Sequence, residues 1–314
     1  MNKKIETYNN YLGTKKFSSK SENYKKYISR VFNNHYFSNH WDLAKKLEAD
    51  LINITKKRNC VTYMNSSIAL ISSLHILGVK EGDTIYLGRG VNLFNWVISC
   101  IKYLNLNVCK EYNNDTNITS IVLDIDLLSH ETNRHYILIP SSLYTKDNIN
   151  NNTMIIYNMD RETCFNMYSG AFVATNNDVL AHKLRHMRSS YGRTGDVTTK
   201  INGNGRFSEF QAAEALTSLD IDFQIILSQI FNETIQFISK FRHKSTLIGD
   251  YYTSPILFIE FSDNNLIEKV ILKLKSMNNE NQIINYETLD SGILIRVPLT
   301  HSVSKNLFIS LLAC

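Results

Sequence analysis

Five short apolar segments follow one another through the middle of the chain and constrain the fold more than any other feature. They are rich in strand-forming residues, show little alternation of apolar and polar positions, and cover residues 108–112, 121–125, 136–139, 154–157 and 171–175. Strands without alternation are typical of a sheet that is covered on both faces, as in parallel α/β proteins. The sequence therefore predicts an α/β fold with a mostly parallel central sheet.

The links between these segments are short. A crossover helix between parallel strands needs about a dozen residues. The links 126–135 and 141–153 are too short or too polar to form well-packed helices. We therefore predict that these two connections lack full-length helices, so that a pocket at this edge of the sheet is open or filled by side chains such as Tyr144.

The flanking patterns complete an α/β domain and add a smaller lobe. A strand at 60–64, a helix that opens at Asn65-Ser66-Ser67 and ends at Gly78, and a strand at 84–87 precede the central segments. Helical patterns at 176–190, 206–220 and 221–241 follow them. The end of the chain reads strand, helix, strand, helix. We predict a large domain over 1–225, with residues 1–34 unassigned, and a small α+β domain over 226–314.

Composition excludes several functional classes. The net charge of +5 is mild and no basic-aromatic platform accompanies it, so no nucleic-acid partner is predicted. No apolar run reaches the roughly 18 residues of a membrane span. The five cysteines have no C-x-x-C spacing, which indicates reduced thiols, a cytoplasmic location and no zinc site. His182 and His186 stand four residues apart, but without a third ligand no metal site is predicted.

The order of motifs resembles the DegT/StrS-type nucleotide-sugar aminotransferases, which have the fold-type-I architecture of pyridoxal-phosphate (PLP) enzymes. The resemblance runs from about residue 37 to the C-terminus. Its parts are "DLAKKLEADL", "NSSIALISSLHILGVKEGDTIYL", "SGAFVATNNDVLAHKLRHMRSSYGRTG", "NGNGRFSEFQAAEALTSLD" and "ILIRVPLTHSVSKNLFISLL". It implies a fold-type-I large domain, a small C-terminal domain and a cofactor pocket at the strand ends.

The resemblance places the phosphate of the cofactor at the turn Asn65-Ser66-Ser67. A helix N-terminus there offers free N–H groups to an anion. Ser67 stands where the family has glycine, and the next residue is isoleucine where the family has a hydroxyl. The turn is equally consistent with an ordinary cap by Asn65 or Ser66. Trp96, or Phe94, corresponds to the aromatic residue that stacks on the cofactor, and either residue also suits a core position.

Two residues that the PLP chemistry needs are replaced. The position of the Schiff-base lysine falls at Glu162, and no lysine lies between Lys146 and Lys183. The acid that pairs with the pyridine nitrogen falls at or beside Pro140. A carboxylate cannot form an imine and proline carries no counter-charge. The resemblance therefore predicts a degenerate member with absent or weak PLP binding, unless Lys146 or a partner chain supplies the amine.

Other family positions match better. Asn204 and Arg206 correspond to an Asn-x-Arg motif whose asparagine reaches the cofactor site of the neighbouring subunit in the family. Glu209 and Gln211 continue the match but also suit helix packing. The residues 212–219 also form an apolar face that should be buried against another surface. The Asn-x-Arg match and this face together predict a homodimer, or a heterodimer with an active paralogue. A set of basic residues suits either the phosphates of a nucleotide sugar or a solvated face: Arg185, Arg188 and Arg193.

Three functions remain open at this point. The first is a non-catalytic binding or regulatory pseudoenzyme linked to nucleotide-sugar or surface-polysaccharide biosynthesis. The second is an active enzyme on a nucleotide sugar that uses the same pocket. The third, ordinary PLP-dependent transamination, is disfavoured by the replacements at Glu162, Pro140 and Ser67.

Overall fold

The structure is a computed structural model. It describes residues 15–35, 37, 41–109, 119–123, 136–140, 153–160, 163, 165, 167–189, 204–219, 246–248, 256–261, 267–272, 285–289 and 292–298. These residues form a seven-stranded and a four-stranded sheet. No helix of this described part is long and apolar enough to cross a membrane.

The larger sheet confirms the predicted α/β class. Its strands are β1 (Asn59–Tyr63), β2 (Thr84–Leu87), β3 (Asn107–Cys109), β4 (Ser120–Leu123), β5 (Tyr136–Ile139), β6 (Thr153–Asn158) and β7 (Ala171–Thr175). Their spatial order is β1-β7-β6-β5-β4-β2-β3. Strands β2 to β6 pair in parallel, whereas β7 is antiparallel to both β1 and β6. Every strand that the sequence predicts for this sheet is present.

Helices cover both faces of this sheet, as the lack of alternation predicted. They are α1 (Lys15–Asn34), α2 (Asp42–Thr55), α3 (Ser66–Ile76), α4 (Asn95–Tyr103), α5 (Asp178–Ser189) and α6 (Glu209–Leu219). In β6, Met154 and Ile156 pack in the cluster that includes α3, α4 and α5. Ile155 and Tyr157 pack in the cluster that includes α1, α2 and α6. Successive residues of one strand therefore enter different apolar layers, and both exclude water.

Local caps explain where the helices begin and end. The side-chain oxygen of Asn65 accepts a hydrogen bond from Ile68 N at 2.9 Å, which decides the cap of α3 in favour of Asn65 over Ser66. Gly78, with φ of 84°, ends the turn after α3 in the left-handed region that glycine adopts freely. Asn177 caps α5 by accepting from the backbone N–H groups of Leu180 and the residue before it.

The described part of residues 1–34, which the sequence left unassigned, forms α1 (Lys15–Asn34). It packs against α6. Tyr27 and Val31 of α1 are buried in the same apolar cluster as Ala212, Ala213 and Leu216 of α6. The expectation that a second subunit covers residues 212–219 is therefore wrong, because α1 and α2 of the same chain cover this face.

The smaller sheet belongs to the C-terminal lobe. Its strands are β8 (Thr246–Ile248), β9 (Ile256–Phe261), β10 (Asn285–Leu289) and β11 (Gly292–Pro298), in the order β10-β11-β9-β8, and all pairs are antiparallel. β9, a helical segment at 267–272 and β11 match the predicted strand–helix–strand order. β8 and β10 were not predicted, because one is short and the other is largely polar.

Several predictions fall outside the described residues. These are the links 126–135 and 141–152, the helix at 221–241, the last predicted helix, and the boundary between residues 225 and 226. The division into domains 1–225 and 226–314 therefore stays a prediction.

Candidate functional site

The candidate phosphate turn lies between β1 and α3. Ser66 is buried, whereas Asn65, Ser67 and Ile68 are half-buried. The Ile68 N–H, which would be a donor to an anion, already donates to the side chain of Asn65. The carbonyl of Ser67 accepts a weak bond from Cys100 Sγ at 3.6 Å. Part of the helix N-terminus is thus satisfied within the chain.

The loop that contains Asn204 and Arg206 lies directly against this turn. Met64 N donates to the Gly205 carbonyl at 3.0 Å. A Cβ atom at Gly205 would lie 2.7 Å from Ile68 Cγ2, closer than real Cβ contacts allow. The absence of a side chain at Gly205 is therefore what lets the loop approach Ile68. Asn204 itself is exposed and Arg206 is half-buried.

Gln211 connects three segments of the site. Its Nε2 donates to the carbonyl oxygens of Met64 and Ser169, each at 3.0 Å. Its Oε1 accepts from Ser208 N at 3.1 Å, while Ser208 Oγ accepts from Gln211 N at 3.1 Å. This reciprocal pair is a capping box at the start of α6. The Gln211 amide thereby joins the α6 N-terminus, the end of β1 and the loop before β7.

The loop between β6 and β7 is where the resemblance places the family lysine. Met159 N donates to the Gly170 carbonyl at 3.0 Å, and Met167 N donates to the Met159 carbonyl at 3.1 Å. These bonds close the loop at its base. Tyr168 at its end is exposed. Glu162 lies outside the described residues, so its assignment as the degenerate lysine position stays a prediction.

Pro140 directly follows β5 and is half-buried. β5 lies between β4 and β6 in the sheet. This strand end is where the resemblance places the pyridine-pairing acid. A proline side chain can neither hold a negative charge nor accept a proton there.

Phe94 and Trp96 pack beside the core, as one of the two sequence interpretations predicted. Phe94 is buried, and Trp96 packs partly buried against the same cluster. Their rings meet edge to face at 6.4 Å between centroids. The Trp96 Nε1 atom is buried and has no hydrogen-bond partner within the described chain. A role for Trp96 in stacking on a ligand stays a prediction.

The strands of the small sheet contact the loop that leads to these aromatic residues. Arg89 pairs with Glu260 of β9 at 2.7 Å, and Gly90 N donates to Glu287 of β10 at 2.9 Å. The guanidinium of Arg296, on β11, lies 4.7 Å from the centre of the Phe94 ring, at cation–π distance. Sequence analysis missed these contacts, because the partners lie more than a hundred residues apart.

Arg188 is buried and ion-paired within the chain, which corrects its interpretation as part of a solvated basic face. It is 3% exposed and pairs with Glu48, which is 8% exposed, at 2.6 Å. The same Glu48 oxygen accepts from Thr62 N at 2.8 Å. Arg188 therefore joins α5 to α2 and β1 in the interior. Arg185 is half-buried and bonds the Asn59 side chain at 3.2 Å, and Arg193 lies outside the described residues.

Glu209 has a structural role that the sequence left undecided. It is buried, and its carboxylate accepts hydrogen bonds from the backbone N–H groups of Trp41, Leu43 and Ala44 at 2.6–3.3 Å. No side chain next to α2 caps that helix. Glu209 supplies the missing acceptors at the positive end of its dipole. The packing interpretation of Glu209 is therefore confirmed.

Two described features do not suit PLP. The α3 N-terminus keeps backbone donors, but the Ile68 N–H is bonded to Asn65 and the isoleucine side chain lies beside Gly205. Pro140 offers no acid at the end of β5. No described group of three or more His, Cys, Asp or Glu side chains is arranged to hold a metal ion.

Known structures agree with this fold. An aminotransferase TlmJ from Streptoalloteichus hindustanus has a TM-score of 0.65 at 11% identity, over 92% of this chain and 95% of that one. A DegT DnrJ EryC1 StrS aminotransferase from Brucella abortus has 0.63 at 12%, over 93% and 95%. The E. coli GDP-4-keto-6-deoxy-D-mannose-3-dehydratase with bound hydrated PLP has 0.63 at 11%, over 92% and 95%.

The chain therefore has the fold-type-I aminotransferase fold, and the predicted resemblance to DegT/StrS-type proteins is confirmed at the level of the fold. No family model matches the chain, and no curated protein matches it. Sequence identities of 11–12% show that the fold is shared but do not show that the activity is shared.

Proposed function

We propose that the chain is a degenerate homologue of the nucleotide-sugar aminotransferases, a pseudoenzyme without PLP-dependent transamination. It binds a ligand or regulates a partner in nucleotide-sugar or surface-polysaccharide biosynthesis. The observation that carries the proposal is the lysine-free stretch between Lys146 and Lys183, together with the absence of histidine between His135 and His182. Only a primary amine forms the imine on which this chemistry depends.

The geometry of the phosphate turn supports the same conclusion. Tight PLP binding combines the imine, the acid and the phosphate cup. Glu162 and Pro140 stand in place of the imine-forming lysine and the acid, so the backbone donors at the α3 N-terminus are what remains of the three interactions. A helix N-terminus stabilises an exposed anion by about 1 kcal/mol. Micromolar affinity needs roughly 8 kcal/mol. Stacking on Trp96 and a contact from Asn204 do not close that gap.

The test is the spectrum and thermal stability of the purified protein. It is expected to lack the visible absorbance of lysine-bound PLP, and added PLP is expected to leave Tm unchanged. An active aminotransferase of this fold, measured in parallel, is the positive control. A yellow preparation that loses its colour with an amino donor would overturn the proposal.

A second experiment tests the assigned positions. Glu162→Lys alone is expected not to restore transamination, because the acid and the phosphate turn are still replaced. Combining it with Pro140→Asp and Ile68→Thr is expected to raise PLP affinity above that of the single variant. Equal affinity in the single and triple variants would show that Pro140 and Ile68 are not the positions that matter.

The alternative function is an active enzyme on a nucleotide sugar that uses the same pocket, with or without pyridoxal chemistry. The exposed rim favours it: Tyr168 is 80% exposed beside Ser169, and Met64 and Asn204 are also exposed. The test is a thermal-shift screen with UDP-, GDP- and dTDP-sugars without PLP. An increase in Tm on addition of a nucleotide sugar supports this function if Tyr168→Ala reduces the increase. Tyr103→Ala is the matched control, at a residue that is 78% exposed, and is expected to leave the increase unchanged.

We also infer that the protein forms a homodimer. The alternative assembly is a heterodimer with an active paralogue. Exposed Asn204 suits a position that faces a second subunit. An exposed aromatic cluster supports the same inference: Phe32, Phe37 and Phe210 are 54%, 42% and 36% exposed, with ring centroids 5.9–6.0 Å apart. Solvent contact of such a cluster is unfavourable, so a partner surface is expected over it.

Sedimentation tests the dimer. Phe37→Ser is expected to shift the protein toward monomer, whereas Val179→Ser, at a residue that is 64% exposed, is the matched control. A clean monomer at micromolar concentration for the unsubstituted chain would contradict the inference. Co-purification from the native host would distinguish the homodimer from a heterodimer.

The free thiols of Cys60, Cys100 and Cys109 support the proposed cytoplasmic location.

A further inference from the structure

Two histidine rings meet on the outer face of α5. His182 and His186 are four residues apart, a spacing that places side chains on the same face of a helix. Their Nε2 atoms lie 3.1 Å from each other. The ring centroids are 4.2 Å apart, with an angle of 50° between the ring planes. The two Nε2 atoms, which bind metals through a lone pair, therefore lie close enough to share one ion.

The separation of these nitrogens fits one shared metal ion. A metal binds histidine nitrogen at about 2.0–2.1 Å. Two nitrogens 3.1 Å apart, each at that distance from one ion, make an angle of about 100° at the metal. This value lies between the right angle of octahedral or square-planar sites and the tetrahedral angle. The rings need little movement to replace their mutual hydrogen bond by two bonds to a metal.

The helix holds the pair rigidly while leaving it open to solvent. Leu184 and Met187, on the opposite face of α5, are buried in the chain. The Leu184 carbonyl accepts a hydrogen bond from the Tyr63 hydroxyl at 2.9 Å, which anchors the middle of the helix. His182 is exposed and His186 is half-buried. An ion can therefore reach both nitrogens without any rearrangement of the core.

The surrounding charges define which ions suit the position. Asp178, one turn earlier on α5, accepts a hydrogen bond from Asn59 Nδ2 at 2.7 Å. Among the described residues, no His, Cys, Asp or Glu side chain is placed to be a third ligand beside the two histidines. Lys183 and Arg185 add positive charge nearby. A pair of neutral imidazoles without carboxylate ligands prefers late first-row divalent ions over the oxygen-preferring Mg²⁺ and Ca²⁺.

We propose that His182 and His186 form a two-histidine site for Ni²⁺, Cu²⁺ or Zn²⁺. Its remaining coordination positions are open to water or to a ligand that another molecule carries. The site lies on α5 and is independent of the candidate PLP pocket and of the proposed function.

The test is calorimetric titration of the full chain with Ni²⁺ and with Zn²⁺, and with Mg²⁺ as the negative control. His182→Gln and His186→Gln are each expected to weaken the tightest binding event at least tenfold. Because one ion needs both rings, the double variant is expected to bind no more weakly than either single variant. His75→Gln, at a helical histidine of α3, is the matched control and is expected to bind like the unsubstituted chain.

The same experiment can overturn the proposal in defined ways. If each single variant halves the number of bound ions without changing affinity, the histidines bind separate ions and do not share one. If the α5 variants bind as tightly as the unsubstituted chain, or if His75→Gln weakens binding equally, the metal binds elsewhere. If neither ion binds with at least tenfold preference over Mg²⁺, there is no such site.

Discussion

Replacing Gln211 by glutamate tests the arrangement at the centre of the candidate site. The substitution keeps the shape of the side chain and its acceptor oxygen for Ser208. It replaces Nε2, which donates to the Met64 and Ser169 carbonyls at 3.0 Å each, by an oxygen that cannot donate while the carboxyl is ionised. The introduced carboxylate oxygen would then face the carbonyl oxygens of Met64 and Ser169, with no hydrogen atom to join them.

The size of the effect follows from these contacts. Each hydrogen bond contributes about 1 kcal/mol net, and loss of this donor costs more at the partly buried Ser169 carbonyl. The Met64 carbonyl keeps its hydrogen bond from Ser169 Oγ at 2.9 Å. Loss of both donated bonds, with added repulsion, is expected to lower the free energy of unfolding by about 2–4 kcal/mol at pH 7. This is a large part of the roughly 5–15 kcal/mol that stabilises a typical domain.

The pH dependence distinguishes this mechanism from a general packing defect. Two carbonyl oxygens favour the protonated form of the introduced carboxyl, so its folded-state pKa lies above the unfolded value of about 4.3. A group with a raised pKa contributes its full stability below the unfolded pKa and loses it as pH rises through the folded pKa. The penalty of Gln211→Glu is therefore expected to be small at pH 4 and complete at pH 7.

Urea unfolding, followed by tryptophan fluorescence at both pH values, measures this difference. Gln211→Met is the matched control, because it removes the amide without adding a charge and its penalty is expected to be independent of pH. Unfolding of Gln211→Glu that matches the unsubstituted chain at pH 7 would refute the reasoning. So would a penalty of equal size at pH 4 and pH 7.

Three further predictions concern the interior. Gly205→Ala is expected to cost about 1–3 kcal/mol in urea unfolding, because its Cβ would lie 2.7 Å from Ile68 Cγ2; an unchanged midpoint would contradict this packing. Glu48→Gln leaves Arg188 as a buried charge without its carboxylate, and a loss of about 3–5 kcal/mol is expected in the same assay; a loss below 1 kcal/mol would count against the pair. Burial raises the pKa of the Cys60 thiol to about 12. The stability that the buried thiol contributes is therefore complete below the ordinary cysteine pKa of about 8.5 and falls as the pH rises toward 12. Cys60→Ala is expected to reduce the decline of stability over that range, and native Cys60 is expected to resist thiol reagents at pH 8.

The elements that sequence analysis predicted correctly depend on local signals. Each strand of the large sheet is a short apolar run, and the cap at Asn65 acts on an N–H group three residues away. Gly78 ends its turn through its own backbone freedom. Such features are encoded within a few residues, so one sequence is enough to recognise them.

The features that were missed depend on contacts between distant residues. Glu209 caps α2 from 166 residues away, and Arg188 meets Glu48 from 140 residues away. Neither residue carries a local sign that it will be buried, since charged residues on a helix usually face water. α1 was missed for a related reason: its buried side chains, such as Tyr27 and Val31, are few among many polar neighbours.

These contacts explain in physical terms how the proposed loss of catalytic residues would leave the fold intact. Buried polar groups without partners destabilise a protein, whereas a missing ligand does so only if the chain relied on it for hydrogen bonds. Here Asn65 bonds the Ile68 N–H, and Gln211 bonds the strand end and loop that meet at the site. The apolar layers beneath supply stability whatever occupies the pocket. The proposed replacements at Glu162 and Pro140 would therefore remove functional groups from a scaffold whose folding does not require them.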